Sequence, residues 1–195
     1  ALAKVAYASP GIVFEVALTQ IESYDNLIEV FVECARYFTY YGYDVLTWTL
    51  MTYLGGRGKE RQQADGMLTS AWLRALSLFA GRVFKRYSVI NPTPILQYVA
   101  NQLRLGNSTD LEVLEQIITS MAGIRSDMNF NDQQIRGMAG METLRAQTLE
   151  QLYDKRHEMK SASKRLIKSL VDPGLAGPLL TAIARKHQTY VFSEE

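Results

Sequence analysis

Late in the chain, basic residues recur at every fourth position: Arg156, Lys160, Lys164 and Lys168, with Lys155 and Arg165 beside them. On an α-helix a step of four residues advances about 40° around the axis, so these charges gather on one broad side over several turns. Such a stripe can meet the phosphates of a nucleic acid or an acidic protein surface. A plain solvated helix face carries the same charge pattern. No aromatic residue interleaves with the stripe, which weighs against stacking of single-stranded bases on it.

Other candidate constellations fail on spacing. GGRGKE around Lys59 superficially has the look of a phosphate-binding loop, but that pattern needs Gly five residues before Gly58 and Ser or Thr after Lys59. Tyr53 and Glu60 stand there instead. His157-Glu158 lacks the second histidine of a zinc-protease helix, since Ser161 occupies its place. The other histidine, His187, is distant in sequence, and the single cysteine, Cys34, lies within LIEVFVECARYF, where it reads as a small buried hydrophobe. No catalytic residue, metal-ligand set or cofactor motif emerges, and an enzyme is not expected. One cysteine allows no internal disulfide and fits a reducing compartment. The aromatic residues Tyr37, Tyr40, Tyr41, Tyr43, Trp48 and Trp72 read as core, with exposure of some rings to a partner at the Tyr40-Tyr41-Gly42-Tyr43 corner as the alternative.

The elements that would carry these residues are helical. From Met67 to Leu105, Leu68, Trp72, Leu76, Phe79, Val83 and Tyr87 fall three or four apart, with Arg74, Arg82, Lys85 and Arg86 off the stripe. After a break, Asn91-Pro92 reads as a cap and first helical position, Ile95, Leu96, Val99 and Leu103 form a second stripe, and Gly106 stops it. The pair is expected to form an αα-hairpin. Ser9-Pro10 and Asp172-Pro173 read as further helix starts, Asp44 as a cap, and Asn26/Glu29 and Thr109/Glu112 as capping boxes. VLTWTLMTYL is composed like a strand but has no strand partner elsewhere, so it is assigned to a helix.

About nine helical segments with no alternating strand pattern give an all-α chain of stacked antiparallel helical hairpins, solenoid-like, in a single domain over residues 1–195. Loops 55–66 and 125–140 are expected to be mobile, and the abrupt ends point to a domain taken from a longer protein. Hydrophobic content of 47% with 21% charged suits a folded core, while a net charge of +1 leaves no global field for nucleic acid or a membrane surface. No charge-free apolar run reaches the roughly 18 residues of a membrane span.

Four blocks carry a family resemblance: YDNLIEVFVECARYFTYYGYDVL, AWLRALSLFAGRVFKRY, ILQYVANQLRLGNSTDLEVLEQIITSMAGI and SASKRLIKSLVDPGLAGPLLTAIARKHQ. From Tyr24 onward they resemble the THO complex subunit 2 family in that family's order, with QYVANQL and the downstream MAGI the most specific part. The resemblance implies the central helical domain of a nuclear scaffold without catalysis of its own, similar to the middle domain of translation-initiation scaffolds. It implies a place in the transcription–export assembly that couples transcription to messenger-RNA packaging and export. Its expected partners are other THO complex subunits and a DEAD-box RNA helicase. No residue role transfers from the family, so the basic stripe stands as the partner-binding candidate, with weak RNA binding by the same stripe as the alternative.

Overall fold

The computed structural model describes residues 2–56, 58–64, 68–123, 142 and 159–192, and the sequence signals above set the order of its elements. Among the described residues there are nine α-helices: α1 (Leu2–Ala8), α2 (Pro10–Ser23), α3 (Ile28–Cys34), α4 (Tyr40–Leu54), α5 (Ala71–Arg86), α6 (Thr93–Arg104), α7 (Leu111–Ala122), α8 (Lys160–Val171) and α9 (Ala176–Phe192). Single 3-10 turns at Asp25–Leu27 and Ala35–Tyr37 flank α3. The described residues hold no strand, only an isolated antiparallel bridge between Gln62 and Thr69. The all-α expectation is met. No single described helix is long and apolar enough to cross a membrane.

Helix α5 is the centre of the core. Leu73, Leu76, Phe79, Ala80, Val83 and Phe84 are all buried, a wider arc than the expected stripe, because α2, α3 and α4 pack on one side and α7 on another. Each large side chain so buried contributes roughly 1.5–3 kcal/mol before the entropy of ordering is counted. Two of the basic residues left off the arc form ion pairs: Arg82 pairs with Glu29, and Arg86 meets Glu33 at 2.6 Å. Closest approach is at Gly81, where an added Cβ would lie 2.5 Å from the Gln116 backbone oxygen and 2.6 Å from Ser120 Oγ. Leu68 lies ahead of the helix and is 54% exposed.

The expected hairpin over 67–105 does not form as a closely packed pair. The chain turns at Tyr87–Pro92, and α6 packs on α9, α7, α8 and α4 instead of returning along α5, whose faces are already covered. The start of α6 is displaced by one residue: Pro92 is the N-cap and Thr93 the first helical residue, while Asn91, one position ahead, accepts through Oδ1 from Thr93 N at 3.0 Å. Ser9-Pro10 starts α2 as expected, and Gly106 and Gly123 close α6 and α7 with φ of 95° and 70°. Asp172-Pro173 does not start α9. Gly174, at φ 68°, wraps the end of α8 so that Leu175 N donates to Leu170 O at 2.9 Å, and α9 begins at Ala176. Thr39, not Asp44, caps α4, its Oγ1 accepting from Gly42 N at 3.0 Å. Neither capping box closes, because Glu29 is taken by Arg82 and Thr109 Oγ1 by Arg61. The expectations for residues 125–140 lie outside the described residues.

VLTWTLMTYL is helical in α4. Its buried threonines are satisfied within the helix, Thr47 Oγ1 donating to Tyr43 O at 2.9 Å and Thr49 Oγ1 to Val45 O at 2.8 Å. That removes the cost of burying two hydroxyls and lets a strand-like composition stay helical.

Candidate docking surfaces

Helix α8 positions the basic stripe. It buries Leu166 and Ser169 and half-buries Ala162 and Leu170 against α7 and α6, which turns Lys160, Lys164 and Lys168 outward. All three are exposed and form no ion pair with a described residue. Ile167 and Val171, 56% and 60% exposed, share their sector. At about 100° per residue these five side chains fall within an arc of roughly 100°, so the face mixes ammonium groups with aliphatic surface. Lys155 and Arg156 lie outside the described residues.

Arg165 leaves the stripe and turns inward. Its Nη2 donates to the Phe84 carbonyl, in the last turn of α5 where such oxygens lack in-helix partners. Its Nε is fully buried with no partner, and burial pushes the guanidinium pKa down. Arg165 and Lys168 form one wall of an open cleft of about 530 Å³, with Ser169 and Asp172 near them. The connection from Ser88 to Thr93, leading into the N-terminus of α6, forms the other wall.

A second surface lies on α4 and the turn before it. Tyr37, Tyr40, Tyr41 and Trp48, expected in the core, are 70%, 76%, 69% and 62% exposed. Helix α4 turns Gly42, Tyr43, Leu46, Thr47, Leu50 and Leu54 inward, which sends Tyr41, Asp44, Trp48 and Thr52 to the opposite side. Only Tyr43 of the tyrosine run is core, its hydroxyl donating to Ala35 O at 2.8 Å. Trp72 is half-buried, with Lys59 Nζ 5.2 Å and the Arg61 guanidinium 5.8 Å from its ring.

The strongest electrostatic cluster serves the fold. Arg61 donates through Nη2 to Asp110 Oδ1 at 2.6 Å, through Nη1 to Leu54 O at 2.8 Å and through Nε to Thr109 Oγ1 at 2.9 Å. One guanidinium thus joins the C-terminus of α4 to the N-terminus of α7, the charge arrangement both helix dipoles favour. Asp110 has no exposed surface, and burial raises its carboxyl pKa despite the opposing pull of Arg61. Burial, reinforced by the Asp110 charge, pushes the Tyr98 hydroxyl up to about 12. Among the described residues no three His, Cys, Asp or Glu side chains converge to hold a metal ion.

Comparison with known proteins adds a whole-chain match. A family model described as a transcription- and export-related complex subunit matches residues 2–77. THO complex subunit 2 of Homo sapiens is 36% identical over 193 residues, 99% of this chain and 12% of the human protein. The Arabidopsis thaliana protein of that name is 33% identical over 199 aligned positions, 100% of this chain and 11% of its own length. The Saccharomyces cerevisiae protein is 28% identical over 170 residues, 87% of this chain. The chain therefore spans about an eighth of these curated relatives or slightly less.

Proposed function

Since the chain belongs to the THO complex subunit 2 family, we propose that it is a non-catalytic scaffold domain of the nuclear transcription–export assembly. In this reading it docks a DEAD-box RNA helicase and neighbouring THO subunits for messenger-RNA packaging and export. The supporting observation is the face of α8, where Lys160, Lys164 and Lys168 form no ion pair with a described residue and stand among exposed Ile167 and Val171. Aliphatic surface interleaved with charge suits a protein partner, which buries the one and pairs the other. The aromatic face of α4 provides room for another subunit, since tyrosine and tryptophan are favoured anchors of interfaces. A surface complementary to one arrangement of the helicase lobes would favour that arrangement and so alter ATP turnover without doing chemistry.

Size-exclusion chromatography of the chain with the helicase, alone and with Lys160, Lys164 and Lys168 all changed to Glu, tests this. Co-elution is expected for the unaltered chain and its loss for the reversed one, with a matching change in helicase ATPase rate. Absence of both co-elution and rate change for the unaltered chain refutes helicase docking. The same lysines support a second reading, direct RNA binding. It requires affinity that falls linearly in log–log form with salt, with a slope that Ala at the three lysines flattens.

A further inference from the structure

We propose that the cleft between the Ser88–Thr93 connection and α8 receives a carboxylate side chain of an extended acidic peptide from a partner protein. This deepens the docking reading by naming what the α8 side of the surface takes.

Charge is the first argument. Among the described residues Arg165 lines the cleft with a guanidinium that has a carbonyl for its partner, no carboxylate, and a buried Nε without a partner. A half-buried cation without a counter-ion leaves a positive field in the space beside it, stronger there than in bulk water. Lys168, on the same wall, is exposed and forms no ion pair with a described residue, so it is the donor an incoming carboxylate can reach. The N-terminal end of α6 enters from the opposite wall and adds its dipole in the same sense. The larger open cleft elsewhere, lined by Glu22 and Arg74, has no such surplus: Glu22 is paired with Lys59 at 2.7 Å, and Arg74 approaches Glu112 at 4.0 Å.

Shape and composition choose between an acidic peptide and a nucleic acid. Asp172, one helical turn beyond Lys168, also lines the cleft and offsets part of its positive charge, which suits a single carboxylate seated at Lys168 better than the continuous charge of a polyanion. Val89, 49% exposed, with exposed Pro173 gives the cleft an apolar edge for the neighbouring side chains of a peptide. No aromatic side chain lines it, so a base gains no stacking platform.

Fluorescence anisotropy with a labelled peptide alternating glutamate and valine, and with its glutamine counterpart, tests the proposal on the whole chain. The glutamate peptide is expected to bind, and the glutamine peptide to bind roughly tenfold more weakly or worse. Lys168→Glu should weaken the glutamate peptide by roughly tenfold, Asp172→Asn should tighten it, and Lys4→Glu, on α1 and outside the cleft, should leave it unchanged. Lys168, Asp172 and Lys4 are exposed, so these variants keep the fold, which circular dichroism checks. Arg165→Met also removes the cap on α5, and its result counts only if its melting curve matches that of the parent chain. No binding of the glutamate peptide, or binding indifferent to both Lys168→Glu and Asp172→Asn, overturns the proposal. So does an oligouridine probe that binds through Lys168 where the peptide does not. The peptide assay contains no helicase, so the two readings fail separately. Peptide binding without helicase co-elution retires the helicase reading alone, and the reverse result retires this one alone.

Discussion

Arg61 and Asp110 show how one side-chain pair can matter more than its surface neighbours. Arg86–Glu33, with both partners about half exposed, is worth about 0–1 kcal/mol. Arg61–Asp110 joins a 21%-exposed side chain to a fully buried one, and removing one partner strands the other. Arg61→Ala is therefore expected to cost about 3 kcal/mol at neutral pH, measured by urea unfolding. The pH dependence has a definite sign. The folded pKa of Asp110 lies above its ordinary 3.8, so the folded chain holds this proton where the unfolded chain has lost it. Its contribution is complete below 3.8 and declines as pH rises through the raised value. Without Arg61 the carboxyl rises further, so the deficit of Arg61→Ala should narrow on acidification. A deficit that grows in acid would refute the assignment. None of this was legible in the sequence, because Arg61 and Asp110 are 49 residues apart and carry no local signature. The α8 lysines were legible, since their spacing is a property of a single helix, whereas the inward turn of Arg165 depends on where α5 ends.

Single helices were read best where packing and local pattern agree. The N-terminal proline of α2 and the left-handed Gly106 after α6 are local signals and appear where expected. Helix α4 was read correctly as a helix and wrongly as to its faces. Its threonines go inside because they bond their own backbone, a choice that only the neighbouring helices can impose. The pairing of α5 with α7 was also hidden, since Gly81 is marked as a contact only once Gln116 lies against it. Gly81→Ala is expected to lower the unfolding free energy by about 2 kcal/mol, because a backbone oxygen stands in the way and cannot swing aside. Gly11→Ala, on α2 with nothing within 4 Å of the added carbon, should leave stability unchanged or raise it slightly. Equal effects at the two positions would mean that α5 and α7 are not in backbone contact.

At the scale of the molecule, composition and periodicity reached the all-α class, and the resemblance reached the family. The docking surfaces were half legible, because a stripe of charge is visible in a sequence while an outward-facing aromatic is indistinguishable from a core one until the core is built. The aromatic face of α4 should act as an interface of its own. Trp48→Ala with Tyr41→Ala is expected to leave the melting temperature within a few degrees of the parent, as both rings are mostly in water, while weakening capture of THO subunits by roughly tenfold or more. Unchanged capture would return that face to bare solvent. The chain has two tryptophans, and their surroundings differ: Trp48 stands in water, while Trp72 lies beside Lys59 and Arg61. A partner that covers α4 should therefore shift the emission of Trp48 toward the blue and shield it from iodide, and one that covers α8 should not. The unlabelled protein thus carries its own optical record of which side has been taken.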